Sequence, residues 1–192
     1  AWVETFALVL WLACSSAAGA QAPAGSTPVA QSVLGGAMRS GLLEVGLPLM
    51  RSFGPKEYGA APQNWAIVQD QRGVVYVGNN NGVLQFDGQR WRLIPVANKT
   101  TVHSLAVDAG GRVYVGAVGE VGYLVPDASG QMHYVSLLDR VPLADRGFAE
   151  VWNTVATTQG VVFSSVKRLM RWQGERLESW TPTTEFGVAY GA

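Results

Sequence analysis

The chain has 192 residues, zero formal net charge and only 15% charged residues, against roughly 25% in an average soluble domain. A neutral chain with no basic run does not fit a nucleic-acid partner. A single cysteine allows no internal disulfide, and no Cys/His cluster offers a structural zinc site. The length suits one domain or a piece of a larger one. The chain starts at Ala1 rather than at Met and stops at Ala192 within strand-like sequence, so it reads as cut at both ends.

Phe6 to Ala13 form an apolar run, followed by small residues from Ser15 to Ala20. Ala18-Gly19-Ala20 fits the small-x-small rule for signal peptidase, which predicts a signal peptide over residues 1–20 and a mature start at Gln21. The same run also reads as a signal anchor or as a buried apolar element. Trp11, three residues before Cys14, does not fit a lipoprotein signal. Residues 21–45, rich in Ala, Gly, Ser and Pro, read as a linker.

From residue 46 onward an internal repeat carries most of the information. Asp70 and Asp108 are 38 residues apart, and so are Gly73 and Gly111, Tyr76 and Tyr114, and Gly78 and Gly116. A third copy begins at Val151; its Gly160-Val161-Val162-Phe163 matches Gly73-Val74-Val75-Tyr76 at an offset of 87. A period near 40 without helical periodicity points to a blade-type repeat.

Each copy reads as four short strands. In the first these are Asn64–Gln69, Val74–Gly78, Val83–Phe86 and Arg90–Ile94. Asp70 to Gly73 and Asp108 to Gly111 read as turns in which Asp bonds the backbone. Asp87-Gly88 predicts a two-residue hairpin, with Gln173-Gly174 at the equivalent place. Tandem four-stranded units bury their faces only by stacking on one another, as the blades of a propeller do. The stacking is expected to bury Val74, Val75, Ile67, Leu84 and Trp91. The expected fold is therefore all-β: a β-propeller fragment of about three four-stranded antiparallel blades over residues 46–192, near 64–94, 102–136 and 151–180. A seven-bladed ring needs roughly 300 residues, so the rest of the ring is expected beyond this chain. Leu47–Phe53 is a candidate ring-closing strand.

The stretch DQRGVVYVGNNNGVLQFDG, Asp70 to Gly88, resembles the repeat of two-component-regulator propellers. Gly46-Leu47-Pro48, Phe53, Tyr58 and Asn64-Trp65 resemble the lead-in to its first blade, so the likeness covers residues 46–180. Tyr76-Val77-Gly78-Asn79 stands where the family has Trp-Ile-Gly-Thr, and the third copy has Thr157 or Thr158 in place of the Asp. The resemblance implies the periplasmic sensor of a bacterial membrane signalling protein, tethered to the inner membrane. An immunoglobulin-like domain, a membrane span and a kinase, cyclase or transcription-factor output would follow, and the receptor class pairs as homodimers.

Propeller topology puts the turns between second and third strands, and the links between blades, on one face. That face is expected to hold Asn79, Asn80, Asn81, Glu120 and Lys167, together with Arg140, Asp145 and Arg146 of the long link 137–150. Long loops on a rigid scaffold are where binding usually sits, and amides offer both donors and acceptors. These eight residues are the candidate ligand site, for a small molecule or a glycan; Asn-rich turns also arise simply because Asn tolerates positive φ. Trp65, Trp91, Trp152, Trp172 and Trp180 suit either blade packing or stacking on sugar rings, and packing is the commoner use. His103 and His133 lack an acidic companion at ligand spacing, Asp127 to Gly130 reads as a hairpin tip, and Gly116–Gly122 lacks the features of a phosphate loop. No metal, no cofactor and no catalytic residue is assigned. The expected function is the ligand-binding sensor of a histidine-kinase or diguanylate-cyclase receptor. The alternatives are a secreted propeller enzyme, either a quinone-dependent dehydrogenase or a polysaccharide lyase, and a protein-binding propeller.

Overall fold

A computed structural model describes residues 50–183. The expected signal peptide at 1–20 and the linker at 21–45 lie outside the described residues. Of the candidate closing strand Leu47–Phe53, the described part, residues 50–53, pairs with no strand. It leads into a single helical turn, α1, at Pro55–Tyr58.

Three antiparallel sheets follow, each a simple up-and-down meander. The first holds β1 (Asn64–Gln69), β2 (Val75–Asn79), β3 (Gly82–Phe86) and β4 (Trp91–Ile94). The second holds β5 (Val102–Val107), β6 (Val113–Ala117), β7 (Glu120–Pro126) and β8 (Met132–Ser136). The third holds β9 (Val151–Thr157), β10 (Gly160–Ser165), β11 (Leu169–Gln173) and β12 (Arg176–Trp180). The first strands meet: β5 packs between β1 and β9, whereas β4 touches β8 only lightly. Sheets that converge on their first strands and splay at their fourth are propeller blades, the architecture expected from the sequence.

The turns form where the carboxylates predict. Asp70 Oδ1 accepts from the N–H groups of Arg72 at 2.9 Å and Val74 at 3.0 Å. Asp108 Oδ1 accepts from Arg112 N–H at 2.9 Å, and Asp127 Oδ1 from Ser129 at 2.8 Å and Gln131 at 2.9 Å. Each Asp is followed three residues later by a glycine of positive φ, at 84°, 80° and 83° in Gly73, Gly111 and Gly130. The β3–β4 turn differs from expectation. It is a four-residue loop, because Asp87 Oδ1 gathers both Gln89 N–H at 2.8 Å and Arg90 N–H at 2.7 Å. Its counterpart in the third blade is a two-residue turn, Gly174-Glu175, closed by the Gln173–Arg176 pair.

The third blade also corrects the sequence alignment. In blade 1 Gln69 pairs with Val75 across a five-residue turn; in blade 3 Ala156 pairs with Val161 across four. One residue fewer moves β10 by one position, and a one-residue step turns every side chain to the opposite face. Phe163 is therefore the counterpart of Val77 and Val115, not of Tyr76. It faces back into the layer between blades 2 and 3, with Tyr114, Phe148 and Met170.

Two apolar layers hold the fan together. Tyr76, Val83, Leu105, Val113 and Val115 fill the space between blades 1 and 2. Phe148 and Phe163 are fully buried between blades 2 and 3, each burial worth roughly 1.5–3 kcal/mol. Val74 is half-buried between blades 1 and 2, but Leu84, buried, and Val75 and Trp91, half-buried, pack with Phe53, Tyr58 and Ala60 of the lead-in rather than against another blade, and Ile67 is 68% exposed. It points from β1 to the side of blade 1 away from blade 2. Glycine sets the spacing between blades: a Cβ on Gly116 would lie 2.6 Å from Val151 Cγ1, and one on Gly78 would lie 2.8 Å from the Val102 carbonyl oxygen.

Candidate functional site

The turns between second and third strands and the links between blades are bonded to one another, so they share a face. Asn98 Nδ2 and Thr100 Oγ1, both on the first link, donate to the Val118 carbonyl at 2.9 Å. Gly119 N–H donates to the Ala149 carbonyl of the second link at 2.7 Å. Asp145, also on that link, is paired with Arg168 of the β10–β11 turn at 2.8 Å.

On this face the eight candidate residues have different fates. Asn79 is fully buried. Its Nδ2 lies within bonding distance of the Ala61 carbonyl at 2.6 Å, the Gln63 carbonyl at 2.9 Å and Asn64 Oδ1 at 2.8 Å, and its Oδ1 accepts from Asn81 N–H. It ties the segment before β1 to the β2–β3 turn and has little left for a ligand. Glu120 is also buried, with Tyr134 and Ser136 hydroxyls donating to its Oε1. Burial, reinforced by this carboxylate, pushes the Tyr134 hydroxyl far above its ordinary pKa. Both side chains act inside the fold.

Asn81 Oδ1 accepts from Ala61 N–H at 3.0 Å, and Asn80 Oδ1 from the Trp65 indole N–H at 2.7 Å. Asp145 also accepts from the Ser179 hydroxyl at 2.5 Å, which clamps the long link onto blade 3. Arg146 donates from Nε to the Val141 carbonyl at 3.1 Å and lies 3.6 Å from Asp139. Arg140 and Lys167 are exposed. Lys167 borders a shallow hollow with Arg168, Gly147 and Thr181. The eight residues do not converge on one point: the three Asn belong to blade 1, Glu120 to blade 2, and the other four to the long link and blade 3.

What does converge is aromatic. Trp65, His103 and Trp152 are each the second residue of a first strand, in β1, β5 and β9. Each is the extra, unpaired residue of a β-bulge: pairing jumps from Asn64 to Ala66, from Val102 to Ser104, and from Val151 to Asn153. The His103 and Trp152 rings stack with centroids 4.3 Å apart and planes 7° from parallel. Trp65 stands edge-on to both, 4.7 Å from His103 and 6.0 Å from Trp152. Desolvation lowers the His103 pKa, partly opposed by the Glu150 carboxylate, so the imidazole tends to stay neutral. From the sequence these residues stand singly: Trp65 and Trp152 suit blade packing or stacking on sugar rings, and His103 lacks the companions of a metal ligand. The signal that unites them was present: they stand 38 and 49 residues apart, the spacings of the repeat itself.

No protein-family model matches the chain, and no curated protein matches it by sequence. Solved structures do. The extracellular domain of BT4673 from B. thetaiotaomicron, described as a one-component system, has a TM-score of 0.53 at 15% identity, over 70% of this chain and 20% of that one. A second structure of the BT4673 extracellular domain, described there as a hybrid two-component system, has a TM-score of 0.44 at 19% identity, over 61% and 15%. Virginiamycin B lyase from Staphylococcus aureus has a TM-score of 0.44 at 14% identity, over 64% and 42%. The chain thus spans about a fifth of the length of the first of these. At 15% identity the first likeness establishes architecture alone, a bladed propeller fold.

Proposed function

We propose that this chain is the ligand-binding portion of an extracytoplasmic sensor in a bacterial membrane signalling receptor, of histidine-kinase or diguanylate-cyclase type. The observation that supports it is the bladed architecture shared with the BT4673 extracellular domain, in a chain whose repeat resembles signalling propellers. A glycan fragment is the proposed ligand class, because one face gathers amide side chains and half-open indole rings. Signalling requires only that the ligand prefer one of two packings between the propeller and the domain after it; a ligand without that preference shifts nothing.

The coding sequence beyond Ala192 tests this reading directly. The reading expects further blades, then an apolar span of about 20 residues and a kinase or cyclase module. A reading frame that ends without a span contradicts it.

A further inference from the structure

We propose that Trp65, His103 and Trp152 form a single binding platform, at the axial mouth of the loop face, for the apolar face of a neutral pyranose ring. The inference rests on the glycan reading above and names the residues that would hold the sugar.

Position is the first argument. Three chain segments, 38 and 49 residues apart, place an aromatic ring at one equivalent point, and in each the backbone departs from regular pairing to do so. A bulge re-aims a side chain at the expense of ladder bonds, and such features concentrate beside functional sites. Packing alone does not call for it, since the aromatics Tyr76, Phe148 and Phe163 are fully buried from regular strands or a link without any such device.

Exposure is the second. Trp65 and Trp152 remain 40% and 44% exposed although they touch a common neighbour. Stacking on His103 covers one face of Trp152. Trp65 stands at 73° to Trp152, so the two indoles make a corner rather than a flat wall. The corner is held in place, because the Trp65 N–H is bonded to Asn80 Oδ1. The bond satisfies the polar end of the indole and leaves its ring plane to a ligand.

Chemistry is the third. None of the three rings carries a charge when His103 is neutral; His103 Nδ1 is buried with no hydrogen-bond partner among the described residues, and both indoles contact the imidazole. Asn80 adds amide donors and acceptors at the rim, suited to hydroxyl groups. A flat apolar surface edged by an amide complements a neutral sugar ring, with an apolar face and a hydroxyl edge. Glu150 is the carboxylate that acts on this cluster, which makes an organic cation the competing ligand.

The test uses the full-length protein, with intrinsic fluorescence and calorimetry as readouts. The probes are cellohexaose, maltohexaose, xylohexaose and mannohexaose, with choline as the cation. The proposal expects at least one oligosaccharide to bind and to change the tryptophan emission. Trp65→Ala and Trp152→Ala should each weaken that binding roughly tenfold or more, Trp152→Phe should retain part of it, and Glu175→Ala, in the exposed β11–β12 turn, should leave it within about twofold. Far-UV circular dichroism and the Phe variant separate loss of the platform from loss of the fold. Sugar binding that survives both alanine variants overturns the platform and leaves the glycan reading intact. Choline binding without sugar binding overturns the pyranose assignment. No binding of any sugar by the wild-type protein overturns both.

Discussion

His103 and Trp152 lie ring against ring, 4.3 Å between centroids and 7° from parallel, although 49 residues separate them in the chain. The contact exists because β5 and β9 are the inner strands of neighbouring blades and each opens a bulge at its second residue. The geometry of the fan and the composition of the loop face therefore meet at one place.

The separation of blades 2 and 3 depends on an absent side chain. A Cβ on Gly116 would lie 2.4 Å from Ser104 Oγ and 2.6 Å from both Thr154 Oγ1 and Val151 Cγ1. Those hydroxyls are engaged: Ser104 Oγ lies 2.8 Å from the Val151 carbonyl and 2.7 Å from Thr154 Oγ1. Gly116→Ala should destabilise the protein by about 1–3 kcal/mol, read as a lower urea midpoint. Gly147→Ala, where a Cβ meets nothing within 4 Å, should change the midpoint little or raise it.

Acid should act through the first hairpin. Burial opposes ionisation of Asp70, but the Arg72 guanidinium and the backbone N–H groups of Val74 and Arg72 outweigh it and hold the carboxyl below its usual value. The stability it contributes is complete above the unfolded pKa, about 3.9, and is lost as pH falls through the folded one. Asp70→Asn should cost about 1–3 kcal/mol at neutral pH and flatten this acid limb, checked by urea titrations from pH 6 to pH 2. An unchanged limb would mean that Asp70 is not held this way.

Much of the fold was legible because the turn chemistry is local. Asp70, Asp108 and Asp127 each close a turn within four residues, so the sequence alone announces them. The register of β10 was not legible, since a turn one residue shorter leaves the Gly-Val-Val-aromatic string looking intact while reversing its faces. Asp87-Gly88 misled for a related reason: the dipeptide marks a turn but not its length, which the Asp87 carboxylate sets. Ile67 was assigned to an interface on hydrophobicity alone. Of the candidate site, the loop face could be inferred from topology, but the burial of Asn79 and Glu120 could not. Their partners Ala61, Gln63 and Ser136 lie 16 to 18 residues away. The bulges were invisible because a bulge is defined by the partner strand.

His103 gives a second pH signature, at milder acidity. Desolvation lowers its pKa from the ordinary 6.5 against the opposing pull of Glu150. With the folded value below the unfolded one, stability is flat above pH ~6.5 and declines as pH drops below it. Proton NMR titration should place the imidazole below 6.5, and His103→Phe should remove the decline. A measured pKa at or above 6.5 would contradict the burial seen for this ring.

Asn79 should behave as a structural residue. Asn79→Asp keeps size but replaces a donor facing three oxygens with an acceptor. It should lower stability by about 1–3 kcal/mol or more in thermal or urea unfolding. Asn81→Ala, which loses one exposed bond to Ala61 N–H, should cost well under half of that. Equal effects would show that the buried amide network does not order the segment before β1.

The account stands on the convergence of inner strands that brings distant bulges together, and a double-mutant cycle on His103→Ala and Trp152→Ala measures it most directly. Urea unfolding of the wild type, both single variants and the double variant yields the coupling. Contacting residues typically couple by 0.5–3 kcal/mol, whereas residues more than about 7–10 Å apart add within about 0.3–0.5 kcal/mol. The fan predicts favourable coupling of roughly 0.5–1.5 kcal/mol, the worth of a stacked aromatic pair. Additive effects would place the two rings apart and contradict it.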